Sequence, residues 1–193
     1  VPSVSPIGNG RYIMAGWMPI NGWGGPFLIH ELIQYADGRI GTKWMKELIA
    51  PTADAVLLAK NAEQKTTFPV KDGNFILTFD VVPQKKKNGK FALSFLPSDG
   101  SNIKGCEMQI NITGFTAQYS DAVKDGFGGM QKSIRNGGNP GLAGNYAIEN
   151  IMGVEKTFTV RVLVKSNAKL GGTIIDTEIA GQNTLVTYRN GLN

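Results

Sequence analysis

Apolar and polar positions alternate with a period of two along much of this 193-residue chain, the pattern of strands with one buried face. The run Phe75-Ile76-Leu77-Thr78-Phe79-Asp80-Val81-Val82 puts Phe75, Leu77, Phe79 and Val81 on one side. Residues Lys90 to Leu96 repeat the pattern with Phe91, Leu93 and Phe95. The two runs read as a hairpin whose apolar faces meet. Cys106 to Tyr119 predicts one long strand, with Met108, Ile110 and Ile112 alternating against Glu107, Gln109 and Asn111, and Gly114 marking a bulge or bend. Strand periodicity returns in Tyr146 to Ile151, Lys156 to Lys165, Thr173 to Ile179 and Thr184 to Arg189, with turns at Gly153, Gly171-Gly172 and Gly181. Residues 120 to 145 hold seven glycines and one proline and lack any strand period, so they read as a loop long enough to carry function. The helix allowed by the pattern is short, around Ala53 to Lys60 or as a turn within 120 to 135.

Residues 10 to 50 have a different texture. All three tryptophans, Trp17, Trp23 and Trp44, fall there, among strand-like runs broken by Asn-Gly, Gly-Gly-Pro and Asp-Gly, the punctuation of an antiparallel all-β structure. The division expected is therefore 1–50, a junction of strands that close something larger, and 51–193, the main domain. Runs of strands without alternating helices exclude a doubly wound sheet and favour a sandwich.

Composition narrows the classes of function. The formal charge of +5 and pI near 9.3 are mildly basic, but the one basic run, Lys85-Lys86-Lys87, falls at a turn before Asn88-Gly89. A run at a turn reads as a solvated face, and nucleic-acid binding would interleave aromatics with it. The single cysteine, Cys106, leaves no intrachain disulfide, so the core alone must stabilise the fold. No run of about 18 apolar residues predicts a membrane span. A signal-peptide pattern is also lacking at the N-terminus, which says nothing of a parent's address if Val1 is an internal cut point.

A resemblance adds a specific expectation. Gly10-Arg11-Tyr12-Ile13-Met14-Ala15-Gly16-Trp17-Met18, then Pro26 through Glu31-Leu32, then Asp37-Gly38-Arg39-Ile40-Gly41 and Lys46-Glu47-Leu48, resemble the last propeller blade of glycoside hydrolase family 32, the invertases, levanases and inulinases. Phe158 to Lys165, Ile174 to Gly181 with Asp176 and Glu178, and Thr184 to Arg189 are similar to the closing strands of that family's C-terminal sandwich. Residues 83 to 155 depart from the pattern and suggest a divergent module like those on family-32-type propellers of Bacteroidetes. The expected fold is all-β: an antiparallel β-sandwich, concanavalin-like or jelly-roll in type, preceded by strands resembling the last blade of a β-propeller. The resemblance implies a non-catalytic C-terminal portion whose partners are an upstream propeller and an oligosaccharide or polysaccharide, in a periplasmic or extracellular protein. No cofactor, metal, nucleic acid or membrane insertion is expected.

The chemistry in the residues is sparse. The family's "WMNDPNG", "RDP" and "EC" motifs are missing, and Trp17-Met18-Pro19 is followed by Ile20-Asn21-Gly22, which supplies no carboxylate. Asp176 and Glu178 are two apart on a predicted strand, so they share a face roughly 6 to 7 Å apart, against about 5 to 5.5 Å for a retaining glycosidase. They read as a self-contained catalytic pair, as glycan ligands, or as the polar face of a strand at the surface or the propeller contact. His30 and Glu31 point to opposite faces as strand neighbours, and further metal ligands are lacking. Cys106 has no nearby base and reads as a small buried hydrophobe. Gly126 to Gly129 and Gly137 to Gly144 lack the strand-loop-helix context and the Lys-Ser/Thr ending of a phosphate loop. The sequon Asn111-Ile112-Thr113 falls inside an apolar strand. Trp23, flanked by glycines, is the candidate sugar platform. Trp44 is either a second sugar contact or packing at the junction, and Trp17 reads as core. The carbohydrate-binding candidates are thus Trp23, Trp44, Asp176 and Glu178, and a free-standing lectin-like module is the alternative to the accessory domain.

Overall fold

The computed structural model describes residues 2–18, 25–49, 51–52, 55–60, 67–70, 73–84, 89–97, 105–121, 147–167, 169, 171–190 and 192. Trp23, the Lys85-Lys86-Lys87 run and both glycine-rich segments lie outside them. Among the described residues twelve strands form three four-stranded antiparallel sheets, and the fold is all-β.

The first sheet is a meander of β1 (Ser3–Gly8), β2 (Arg11–Trp17), β3 (Phe27–Gln34) and β4 (Ile40–Trp44), paired in chain order. Its first strand lies upstream of the patterned region. The β1–β2 turn is specified locally: Gly8, Asn9 and Gly10 all have positive φ, a conformation that glycine and asparagine tolerate best. At the β3–β4 turn, the Tyr35 N–H donates to Arg39 O and the Gly38 N–H to Tyr35 O, while Asp37 accepts from the Arg39 N–H and guanidinium. The sheet ends in a single 3₁₀ turn, Lys46–Leu48. Residues 55–60, where a short helix was expected, carry no helix.

The other two sheets make the sandwich. One has the order β12 (Asn183–Asn190), β11 (Gly172–Ile179), β10 (Phe158–Asn167), β5 (Asn74–Val81). The other runs β6 (Lys90–Phe95), β7 (Cys106–Asn111), β8 (Thr116–Asp121), β9 (Ala147–Glu149). The expected hairpin of β5 with β6 does not form, because β5 pairs with β10 in one sheet and β6 with β7 in the other. Their apolar faces still meet, across the sandwich: Phe75, Leu77, Phe79, Phe91, Leu93 and Phe95 pack on one core, and the Phe79 and Phe91 rings lie 5.2 Å apart. Periodicity fixed which side chains turn inward, whereas the pairing partner depends on contacts distant in sequence.

The long strand expected over Cys106 to Tyr119 is two strands. The chain reverses through residues 112–115, where Asn111 Oδ1 accepts from the Gly114 N–H at 2.9 Å and Phe115 takes a positive φ. Gly114 therefore belongs to a hairpin turn rather than a bulge.

The core between the two sheets holds Met108, Ile110, Val160, Val162, Ile175 and Ile179, all fully buried. One phenol crosses it: Tyr119 Oη bonds Thr177 Oγ1 at 2.6 Å. Burial pushes the Tyr119 pKa well above the usual tyrosine value, so the hydroxyl keeps its proton at neutral pH. Truncating a fully buried core residue loses transfer energy and leaves a cavity. Ile175→Ala is expected to cost about 2–5 kcal/mol, read as a fall in the urea midpoint with unchanged slope.

Candidate functional site

Strand β11 is buried along its whole length, which a sandwich strand with one solvated face would not be. Alternate residues Ile175 and Ile179 enter the sandwich core. The opposite face presents Ile174, Asp176 and Glu178, and the first sheet covers it. Two carboxylates, one on each of two successive positions of that face, are thereby taken out of water. Asp176 is 8% exposed and Glu178 4%.

Both are fully engaged. Asp176 Oδ2 lies 2.9 Å from His30 Nε2 on β3, and Asp176 Oδ1 accepts from the indole Nε1–H of Trp44 on β4 at 3.0 Å. Glu178 Oε2 accepts the backbone N–H of Trp44 at 2.6 Å. Glu178 Oε1 accepts from Arg161 on β10, at 2.9 Å from Nε and 2.5 Å from Nη2. The Arg161 guanidinium in turn lies 4.8 Å over the Trp44 ring, a cation–π contact. Register explains the convergence: His30 pairs with Trp44 across β3–β4, and Arg161 pairs with Glu178 across β10–β11.

The outer edge of β4 is closed by the same surface. The Thr42 N–H donates to Gln182 O at 3.0 Å. Thr42 Oγ1 accepts the Thr184 N–H at 3.1 Å and shares a 2.6 Å bond with Thr184 Oγ1, and the Tyr35 hydroxyl donates to Gln182 O at 2.6 Å. Gly41 is needed here, because a Cβ at that position would lie 2.0 Å from Tyr35 Oη and 2.4 Å from Gln182 O. An edge strand that would otherwise offer free N–H groups is capped by side chains and a loop carbonyl.

A second charged cluster sits on the other face of the first sheet. Arg11 bonds Glu31 through Nε and Nη2 at 3.0 and 2.7 Å and Glu47 through Nη1 and Nη2 at 2.7 and 3.0 Å, with Lys43 Nζ 3.2 Å from Glu31. The Arg11 guanidinium holds the Glu47 carboxyl down at about 2 and, ahead of Lys43, holds Glu31 below the usual carboxylate range. His30 and Glu31 thus serve opposite faces, one the sandwich and the other Arg11.

Beside the junction a shallow cleft of about 300 Å³ opens between the first sheet and β12, lined among others by Met14, Leu28, His30, Thr42, Thr184 and Val186. Trp44 is buried in the junction. Trp17 is 44% exposed at the end of β2, paired across the strands with Phe27, and lines the cleft together with Met14. Cys106 is buried. Among the described residues no three His, Cys, Asp or Glu side chains converge as a metal site requires, and no helix is long and apolar enough to cross a membrane.

Of the candidate residues, then, Trp44, Asp176 and Glu178 come together in one buried network bonded to protein groups, and Trp23 lies outside the described residues. Sequence reasoning missed His30, Arg161, Thr42 and Gln182 as members. The available signal was the pair of carboxylates on a strand that also carries Ile174, Ile175 and Ile179.

Set beside protein-family models, curated proteins and solved structures, the chain has no match. Its chemistry is therefore read from the geometry above.

Both Asp176 oxygens are satisfied by the first sheet. Asp176→Ala leaves the Trp44 indole N–H and His30 Nε2 without their acceptor in a buried place, and each unpaired group costs about 1–3 kcal/mol. The variant is expected to lower the denaturation midpoint and expose Trp44, seen as a red shift of its emission. The Arg11 cluster predicts acid sensitivity. The folded-state pKa of Glu47 lies below its ordinary 4.5, so its contribution to stability is complete above about pH 4.5 and is lost as pH falls toward 2. Arg11→Met should return the Glu47 pKa, followed by carboxyl NMR, toward 4.5 and remove that part of the acid dependence.

Proposed function

We propose that this chain is the C-terminal portion of a family-32-like glycoside hydrolase, in which a non-catalytic β-sandwich braces the last blade of a propeller. The reading joins the residue resemblance to one observation that carries it: the first sheet is a four-stranded antiparallel meander fastened to the sandwich by β4 and one face, with the rest left open. Trp17 and Phe27 are 44% and 61% exposed at the end of the β2–β3 pair. Strand β1 is exposed along its whole length and, among the described residues, is bonded to β2 on one edge only. A sheet with exposed aromatics at one end and an unpaired outer strand suits a blade seated against its neighbours. The catalytic nucleophile and acid of the parent would be supplied upstream, the substrate would be a β-fructan or related glycoside, and the address would be the periplasm or the cell exterior of a bacterium.

The network at Asp176 and Glu178 favours bracing over catalysis. A general acid needs a proton free to move to the substrate, and a nucleophile needs an approachable oxygen. Here every carboxylate oxygen already accepts from a protein group.

A second reading, a glycan-binding module that works independently of a propeller, is favoured by the cleft between the first sheet and β12.

The purified chain, incubated with sucrose, inulin and levan, is expected to release no sugar, while Asp176→Asn and Glu178→Gln lower its thermal midpoint. Turnover by the wild-type chain that disappears in Asp176→Asn without loss of folding would replace this reading with a self-contained glycosidase.

A further inference from the structure

The cleft of about 300 Å³ between the first sheet and β12 brings together polar atoms that the junction does not use up. Met14, Leu28 and Val186 give it apolar walls, Trp17 adds an indole, and His30, Thr42 and Thr184 supply nitrogen and oxygen. No Lys, Arg, Asp or Glu is among the described residues that line it.

Counting donors and acceptors shows what is spare. His30 is 6% exposed, and its Nε2 donates to Asp176 Oδ2 at 2.9 Å, because a carboxylate oxygen accepts. Its Nδ1 has no partner among the described residues. A ring nitrogen left so on a buried side chain points to a partner from outside the chain. Thr42 Oγ1 accepts the Thr184 N–H, and the two hydroxyls share a single bond. Two hydroxyls carry two protons and that bond uses one, so the second is left without an acceptor among the described residues. Both threonines are half-buried and line the cleft. The Trp17 side chain is exposed, and its indole N–H likewise has no acceptor among the described residues.

We propose that this cleft binds a neutral saccharide, one or two sugar rings at the end of a chain. A sugar ring has an apolar C–H face, which the Trp17 indole covers. Its hydroxyls both donate and accept, and so match the His30 acceptor and the threonine and indole donors. The volume lies at the lower end of the range for ligand pockets, too small for a long stretch of polymer. Phosphate or sulfate would find no cation in the lining, and a wholly apolar ligand would leave His30 Nδ1 unpaired. This site rests on the second reading above, the glycan-binding module, and gives that module its contact residues.

The test is calorimetric titration of the whole chain with sucrose and with inulin, levan, xylan, mannan and β-glucan oligosaccharides, with heparin as an anionic probe. Saturable binding of a neutral saccharide is expected, weakened about tenfold in Trp17→Ala. The thermal midpoint of that variant should stay at the wild-type value, because the side chain it removes is exposed. Trp17→Phe keeps a ring and should retain part of the affinity. Val186→Trp narrows the cleft from the β12 side and should weaken binding as well. Phe27→Ala removes the exposed cross-strand neighbour of Trp17, which is outside the lining, and should leave affinity unchanged. Saccharide binding that survives both Trp17→Ala and Val186→Trp would overturn the site and leave the module reading standing. Preference for heparin would overturn the ligand class, and binding of no saccharide would overturn the site and the module reading together.

Discussion

The whole arrangement depends on two carboxylates placed on the outer face of β11 and removed from water. Burying an ionised carboxylate is costly unless it is paired and hydrogen-bonded. Asp176 meets that requirement with His30 and the Trp44 indole, Glu178 with Arg161 and the Trp44 backbone. Neither set is complete within the sandwich. The sandwich strand can have this sequence only because another sheet lies on it, and that sheet can keep His30 and Trp44 there only because the carboxylates await them.

The division of labour between the two carboxylates follows from their partners. Glu178 keeps Arg161, a cross-strand neighbour within the sandwich sheet, whether or not the first sheet is seated. Asp176 has as its cross-strand neighbours Leu163 and Val186, which offer no hydrogen bond from their side chains. Glu178 is a bridge, and Asp176 is the residue whose state is decided by docking. Apolar contact adds to both: Met18 packs with Ile174 and Tyr188, so the junction combines a small hydrophobic patch with directional bonds that fix its register.

Much of the fold was legible because alternation is a local property. Residues such as Phe75, Leu77, Phe91 and Leu93 declare an inward face wherever their strand ends up. What could not be read was the partner of each strand. β5 pairs with β10, about eighty positions away, and nothing in either segment alone distinguishes that from a hairpin with β6. The reversal at 112–115 was hidden for a different reason: Ile112 extends the apolar series of Met108 and Ile110 into the turn, so the pattern gives no early sign of a break. At the junction, Asp176 and Glu178 were visible as carboxylates among the isoleucines of one strand, and their facing the same way was dictated by period two. Their partners, His30 and Trp44, lie more than 130 residues earlier, and only the folded chain brings them within reach.

The unequal support of the first sheet has a mechanical side. Strand β4 is held on one edge by β3 and on the other by Gln182 and Glu178, whereas among the described residues β1 is held by β2 alone. Tension applied at the N-terminal end therefore unzips β1 from β2 one hydrogen bond at a time, while the same tension reaching β4 must break two rows of bonds together. The sandwich acts as a clamp at the trailing edge, and the chain yields in order from its leading strand.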